Sequence, residues 1–321
     1  MAQPGLAGLP RTDNTMRLVV PDLISNSYFP VIAAADLGFF ASEGLELSVE
    51  LLFPVSDAYA ALRDGRVDFV GGSAHSALAA FPEWQGVRLL CAQAQGMYWF
   101  LVMRANLGLA RGQLQGIEGK VIGAAPWVEM GLRRLLTQAG YDLLRDDIQI
   151  VSVPGSAGAG VNFGLTAARA LEEGKIDGFW ANGMGAEVAV RRGAGTVVLD
   201  VRRGDGPQQA FYYTFSALAT TARLLEKRAD LAAAAVRAIG KTHAALRLNP
   251  ELAAKVGHER FPPEQAALIT ELVRRDLPFY NTAIPVAAVT GMNRFASDLG
   301  ILATDVPYDR IVATSLSDLW R

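Results

Sequence analysis

The stretch Ala61-Leu62-Arg63-Asp64-Gly65-Arg66-Val67-Asp68-Phe69-Val70, running on into Gly71-Gly72-Ser73-Ala74-His75-Ser76, decides how this chain is read. It predicts a short helix stopped at Gly65 and a buried strand after it. The glycine pair then releases that strand into a polar loop opening a second helix. The same grammar returns at Ala170-Leu171-Glu172-Glu173-Gly174-Lys175-Ile176-Asp177-Gly178-Phe179, with its strand ending in Trp180-Ala181-Asn182-Gly183. Both copies read helix, glycine stop, basic residue, β-branched residue, aspartate, strand. A spacing of about one hundred residues is far longer than a solenoid unit, and it points to two α/β lobes of similar design. Two lobes imply a cleft.

Composition sets the class. With 321 residues, 51% hydrophobic and 19% charged, the chain is long and apolar enough to bury one or two cores and is too apolar for disorder. A formal charge of -2 leaves no basic footprint, so nucleic acid is not an expected partner. The single cysteine, Cys91, lies in an apolar run, which excludes a disulfide framework and a multi-cysteine metal site. No run of about 18 apolar residues occurs, so no membrane span is expected. Residues 1–15 are loose in composition (Pro4, Gly5, Gly8, Pro10) and read as a flexible segment. They lack the cationic start and unbroken apolar run of a secretory signal. The protein is therefore expected either in the cytoplasm or, if a signal precedes this sequence, in the periplasm.

In chain order, Met16 to Pro21 reads as a strand stopped by proline, Ser25-Asn26-Ser27-Tyr28 as a polar loop, and Phe29 to Phe40 as a helix with Pro30 in its first turn. Leu45 to Leu51 alternates as a strand with one wet face, and Ser56-Asp57 reads as a helix cap. Strands follow at Val87 to Gln95 and at Tyr98 to Met103, the latter leaving the first lobe. The second lobe carries a strand at Lys120 to Ala124, a helix from Pro126-Trp127 to Ala139, and a strand at Ile148 to Val153. It continues with helices at 163–173 and 186–193 and a strand at Thr196 to Val201. Phe211 to Thr220 is expected as a strand crossing back, and residues 221–321 as helices covering the first lobe. The organisation expected is thus lobe I over 16–103 and 215–321 and lobe II over 104–214. The run Pro154-Gly155-Ser156-Ala157-Gly158-Ala159-Gly160 has neither the dinucleotide order nor a following Gly-Lys-Ser/Thr, so it reads as a flexible loop, not a phosphate cradle.

Several phrases in this order carry a resemblance: Ala33 to Phe40 with Glu43-Gly44-Leu45, Leu62 to Phe69, Leu114 to Gly123, and Leu171 to Phe179. Over roughly residues 16 to 305 the chain resembles the nitrate/sulfonate/taurine-type solute-binding proteins of ABC importers. The same superfamily includes the thiamine-pyrimidine synthases and a bacterial aromatic desulfinase. The resemblance implies an α/β, two-lobed periplasmic-binding-protein type II fold closing over a small-molecule ligand. It also implies a permease partner and only peripheral contact with a membrane complex. By position it lines the ligand cleft with Ser25, Asn26, Ser27, Tyr28, Ser73, Ala74, His75, Ser76, Tyr98, Pro126, Trp127, Val128, Trp180 and Asn182. Most of these lie where an expected strand ends and a helix begins, which is where open α/β sheets bind ligands. Each also has a purely structural reading. Ser25 to Tyr28 serve equally as a turn and helix cap, His75 as a capping or packed histidine, and the two tryptophans as sheet packing.

Enzyme alternatives are weighed by what they need. A pyrimidine synthase requires a lysine for pyridoxal phosphate and a cysteine-rich iron segment, and the expected cleft loops hold neither. No cofactor and no metal is therefore expected. The desulfinase uses a cysteine in the loop where this chain has Ser25, Asn26 and Ser27, and a serine without a base is a poor nucleophile. The expected function is the substrate-binding component of an ABC-type importer for a sulfonate, taurine, an aromatic carboxylate or a pyrimidine-like solute, working by lobe closure and with no catalytic residue. The alternatives are a cytoplasmic enzyme on the same fold acting on a small aromatic or sulfur compound, and a cytoplasmic metabolite sensor.

Overall fold

The structure, a computed structural model, describes residues 15–157 and 161–320. The segment 1–14, expected to be flexible, and residues 158–160 of the glycine-rich loop lie outside the described residues. Contacts divide the chain into two units, one running to Gln95 and resuming at Thr214, the other Gly96–Tyr213.

In the first unit, β1 (Met16–Val20), α1 (Phe29–Asp36), α2 (Phe39–Ser42), β2 (Leu47–Leu51), α3 (Val55–Arg63), β3 (Phe69–Ser73) and β4 (Val87–Ala94) follow one another. The second unit holds β5 (Phe100–Arg104), β6 (Val121–Ala124), α4 (Glu129–Gln138), β7 (Gln149–Val151), α5 (Phe163–Glu172), β8 (Gly178–Ala181), α6 (Gly183–Arg191) and β9 (Gly195–Asp200). The chain then adds β10 (Ser216–Thr221) to the first unit. Helices α7 (Ala222–Lys227), α8 (Ala229–Leu248), α9 (Leu252–Arg260), α10 (Pro263–Asp276), α11 (Val286–Asp298) and α12 (Tyr308–Ile311) complete it. The sheet orders are β2-β1-β3-β10-β4 and β7-β6-β8-β5-β9. Each is a mixed sheet with one antiparallel strand, β10 or β5, in the fourth place.

The repeated phrase performs the same task in both sheets. Gly65 and Gly174 take φ of 69° and 71°, a left-handed conformation that costs glycine little, and so end α3 and α5. The basic residue that follows closes the turn, Arg66 N–H to the Ala61 carbonyl and Lys175 N–H to the Ala170 carbonyl, both at 2.9 Å. The aspartate then reaches the neighbouring strand. Asp68 Oδ2 accepts the Arg17 N–H of β1 at 2.8 Å, and Asp177 Oδ2 accepts the Val121 N–H of β6 at 3.0 Å. Each aspartate N–H also donates to the carbonyl of that same partner residue. The motif thus stitches a helix exit to a parallel strand pair, and its carboxylates are structural.

The structure departs from expectation in several places. Gly71 and Gly72 lie inside β3 and do not release it, because both pair with β10, opposite Leu218 and Ala217; an added Cβ would stand 3.1 Å from Gln93 and Val20 at Gly71 and 3.2 Å from Val55 at Gly72. The helix expected over Phe29 to Phe40 is broken at Gly38, whose φ of 76° separates α1 from α2. Edge strand β2 is half-buried at all five positions, not alternating. Helix α3 begins after Pro54 without a side-chain cap, so Asp57 sits in the first turn instead of capping. Residues 74–79 form a 3-10 turn. Helix α4 starts at Glu129, since Trp127 takes φ 68°. The strand read over Tyr98 to Met103 as leaving the first lobe runs Phe100–Arg104 and pairs with β8 and β9 within the unit Gly96–Tyr213. Phe211 lies in a 3-10 turn before β10 instead of in a strand.

Candidate functional site

All the sequence-predicted site residues sit at one kind of place. Within each unit they flank the carboxyl ends of the parallel strands: 25–28 follow β1 and 73–76 end β3 in the first sheet; 126–128 follow β6 and Trp180 and Asn182 close β8 in the second. Tyr98 precedes β5, which runs antiparallel and so starts at that same edge. This is the edge at which open α/β sheets present ligand-binding loops.

In the first unit the loop after β1 is buried and mostly self-satisfied. Ser25 Oγ accepts the Ser27 N–H at 3.0 Å, a local turn that sets the loop's shape. Asn26 is 1% exposed and donates Nδ2–H to Asp276 Oδ2 at 2.6 Å, while its carbonyl accepts the Tyr280 hydroxyl at 3.3 Å. Two buried atoms of this loop have no hydrogen-bond partner among the described residues: Asn26 Oδ1 and Ser27 Oγ. An unmet buried polar atom costs about 1–3 kcal/mol, so such atoms mark places a ligand or water fills. Tyr28 is buried and leads directly into α1.

The second loop is closed on itself. Ser73 Oγ and Ser76 Oγ share a 2.6 Å hydrogen bond, and Ser73's carbonyl accepts the Tyr59 hydroxyl at 3.1 Å. His75 is fully buried, pairs through Nδ1 with Thr214 Oγ1 at 3.0 Å, and sets its ring edge-on to Phe295. Ser73 is thus bonded to Ser76, and His75 to Thr214. Ala74 is buried, and its N–H donates to the Phe215 carbonyl. Burial pushes the Cys91 thiol far above its usual range, which leaves it a packed side chain rather than a nucleophile.

Deeper in the same unit runs a polar chain that no local motif announced. His243 Nε2 donates to the Gln93 carbonyl at 2.8 Å, the acceptor role of a carbonyl fixing the proton on that nitrogen. Its ring stacks on Tyr280 at 5.2 Å, and burial lowers its pKa from 6.5 to about 3. Gln93 Nε2 donates to the Ala217 carbonyl at 3.0 Å. Asp276, Tyr280 and His243 lie on or beside C-terminal helices, which sequence reasoning took for a simple cover.

In the second unit an aromatic cluster forms at the sheet edge. Tyr98 and Trp99 have ring centroids 5.0 Å apart, and Trp99 and Trp180 6.3 Å. Arg202 is 7% exposed, with its guanidinium 5.5 Å from the Tyr98 ring centroid. Trp180 is fully buried, and its indole N–H has no partner among the described residues. Asn182 caps α6, its Oδ1 accepting the Gly185 N–H at 3.1 Å. Pro126 is exposed, Trp127 and Val128 half-buried. Trp127's positive φ is the kind of backbone strain, about 1–3 kcal/mol, that clusters at functional sites. A cavity of about 820 Å³ lies along residues 201–212, with Arg202, Phe211 and Tyr212 in its wall. None of its lining residues was foreseen, and Arg202 over Tyr98 connects it to those that were. Neither Trp99 nor Arg202 has a sequence signature beyond lying next to a strand end.

Residues 25–253 match the family model described as NMT1/THI5 like. The chain belongs to this family. No protein of curated function matches it. Among solved structures, it is similar to the alkanesulfonate-binding protein SsuA from Xanthomonas axonopodis pv. citri bound to MOPS, at 11% identity and TM-score 0.70, covering 97% of this chain and 99% of that one. It is likewise similar to the periplasmic nitrate-binding protein NrtA from Synechocystis PCC 6803, at 12% identity and TM-score 0.68, covering 96% and 88%. A DSZB mutant in complex with biphenyl-2-sulfinic acid is also similar, at 15% identity and TM-score 0.64, covering 94% and 97%, and DSZB is described as a desulfurization enzyme. At these identities the likeness establishes the periplasmic-binding-protein fold. Among the described residues of this NMT1/THI5-like chain no helix is long and apolar enough to cross a membrane, and no three His, Cys, Asp or Glu side chains gather as a metal site.

Proposed function

We propose that this NMT1/THI5-like chain is the substrate-binding component of an ABC-type importer for a small organic solute, acting in the periplasm with a permease partner. Ligand binding shifts the population of the two units towards a closed form that the permease reads. The observation that carries the reading is that the buried polar atoms without partners among the described residues include Asn26 Oδ1, Ser27 Oγ and Trp180 Nε1 at the carboxyl edges of both sheets. Folding leaves such atoms dry and unmet only at a cost, and a ligand that supplies their partners recovers it. The aromatic cluster Tyr98, Trp99 and Trp180 favours a ligand with a planar or aromatic part. The similarity to binding proteins for alkanesulfonate and nitrate supports the same reading.

The similarity to DSZB favours a second reading, an enzyme on the same fold. Against it, Ser25 Oγ is engaged as an acceptor within its own loop, and His75 is engaged with Thr214. A thermal-shift screen against sulfonates, aromatic carboxylates, pyrimidines, nitrate and bicarbonate, with mass spectrometry of each mixture, separates the two. A ligand at one hundred times its Kd adds about 2.7 kcal/mol of stability. A stabilising compound recovered unchanged supports the receptor, and a consumed one the enzyme. Trp127→Ala and Trp180→Ala are expected to abolish binding while the protein stays folded. Unchanged affinity in both would remove the proposed site.

A further inference from the structure

We infer that the ligand presents an N–H donor to the loop after β1, at Asn26 Oδ1, and is therefore an amine, amide or amino-substituted ring and not an acceptor-only anion. This deepens the binding-protein reading and rests on it. The inference follows from which end of one amide is spoken for. Asn26 is 1% exposed, and its side chain lies 2.6 Å from the carboxylate of Asp276, itself 1% exposed. The Asn26 amide turns its NH2 towards Asp276 Oδ2, which accepts, and its oxygen away. Arg275 Nε lies 3.6 Å from Asp276 Oδ1 on the other side of that carboxylate.

Two other groups of the loop are already engaged. The Asn26 carbonyl takes the Tyr280 hydroxyl, and Ser25 Oγ takes the Ser27 N–H. The buried side-chain atoms of the loop without a partner among the described residues are Asn26 Oδ1, an acceptor by its chemistry, and Ser27 Oγ, which serves as donor or acceptor. Nitrate and sulfonate groups present only oxygen lone pairs, which would face Asn26 Oδ1 lone pair to lone pair and leave it unmet. A ligand N–H closes the account, and Ser27 then bonds whatever lies beside it. Asp276 acts as a positioning residue that holds the Asn26 amide in one sense.

The test uses pairs of compounds that differ by NH2 against CH3: an aminopyrimidine and its methyl analogue, benzamide and acetophenone, taurine and propanesulfonate, with nitrate alongside. Affinities are measured by calorimetry on the wild type, Asn26→Leu and Asp276→Asn. The NH2 member of at least one pair is expected to bind at least about tenfold more tightly than its CH3 partner, as the loss of one buried hydrogen bond implies. That ratio is expected to collapse towards unity in Asn26→Leu. Asp276→Asn gives the amide a partner that can also donate, so the ratio falls there too, in a variant that keeps the buried pair intact. Because the readout is a ratio within one protein, a general loss of stability does not move it. CH3 members or nitrate binding as tightly as the NH2 members would overturn the inference while leaving the receptor reading standing. A ratio unchanged in both variants would place the donor preference away from Asn26 and overturn the assignment. Binding of none of these probes would overturn the receptor reading for these classes and the inference with it.

Discussion

Replacing His243 by glutamine should flatten the acid side of the protein's stability curve. His243 is fully buried, donates Nε2–H to the Gln93 carbonyl, stacks on Tyr280, and has its pKa lowered from 6.5 to about 3 by burial first and the Arg247 charge second. A depressed histidine pKa means that between about pH 6.5 and about pH 3 the unfolded chain binds a proton the folded chain refuses. The stability contribution is therefore fully present above pH 6.5 and is lost progressively as pH falls towards 3. At pH 5 the unfolded histidine is one and a half pH units below its ordinary value. At about 1.36 kcal/mol per unit, the loss relative to pH 8 is about 2 kcal/mol, set by the unfolded value because the folded form is still neutral. Glutamine keeps a donor for the Gln93 carbonyl and carries no titratable group. Urea unfolding of wild type and His243→Gln from pH 8 to pH 5 should therefore show the wild type losing about 2 kcal/mol more than the variant. Other titrating groups are common to both chains and cancel in the difference. Parallel curves would mean that His243 accepts a proton in the folded state, and the assignment of a neutral, Nε2-protonated ring would fall.

Two further outcomes check the fold. Asp68→Ala and Asp177→Ala each remove a charged acceptor from the N–H of a neighbouring strand, so each should lower unfolding free energy by about 1.5–3 kcal/mol, Asp177 less because it is more exposed. Neutral behaviour of both in urea titrations would remove the structural role assigned to the repeat. Gly240→Ala in α8, where an added Cβ meets nothing within 4 Å, should raise stability by about 0.5–1 kcal/mol. Gly185→Ala should lower it by about 1–3 kcal/mol, since its Cβ would stand 2.6 Å from the Gly164 carbonyl oxygen. A melting-temperature comparison that reversed the two signs would refute the packing of α5 on α6.

Much of the fold was legible because its signals are local. Gly65 and Gly174 stop helices through a backbone conformation open to glycine, and the β-branched runs that follow form strands for reasons of sterics and burial. The loops at the strand ends were legible for the same reason. The breaks were not: Trp127 holds a left-handed conformation that no propensity assigns to tryptophan, and Gly71 and Gly72 stay in β3 because they pair with Leu218 and Ala217, distant in sequence. Phe211 reads as a strand residue by type, yet lies in a tight turn.

The candidate site divides in the same way. Ser25 to Tyr28, Ser73 to Ser76 and Trp180 could be placed from the sequence, since a strand end followed by a polar loop is written in consecutive residues. Their roles could not be. Asn26 points its amide by a bond to Asp276, 250 positions on, and His75 meets Thr214, 139 positions on. Arg202 reaches the Tyr98 ring from the far end of β9. Hydrogen bonds of this kind depend on where the sheet brings remote segments, and neither spacing nor residue type carries that information. The sequence alone thus determined the two α/β units, their repeated phrase and the sheet edges where the candidate loops lie. The tertiary structure decided which atoms on those edges are already satisfied and which still need a partner.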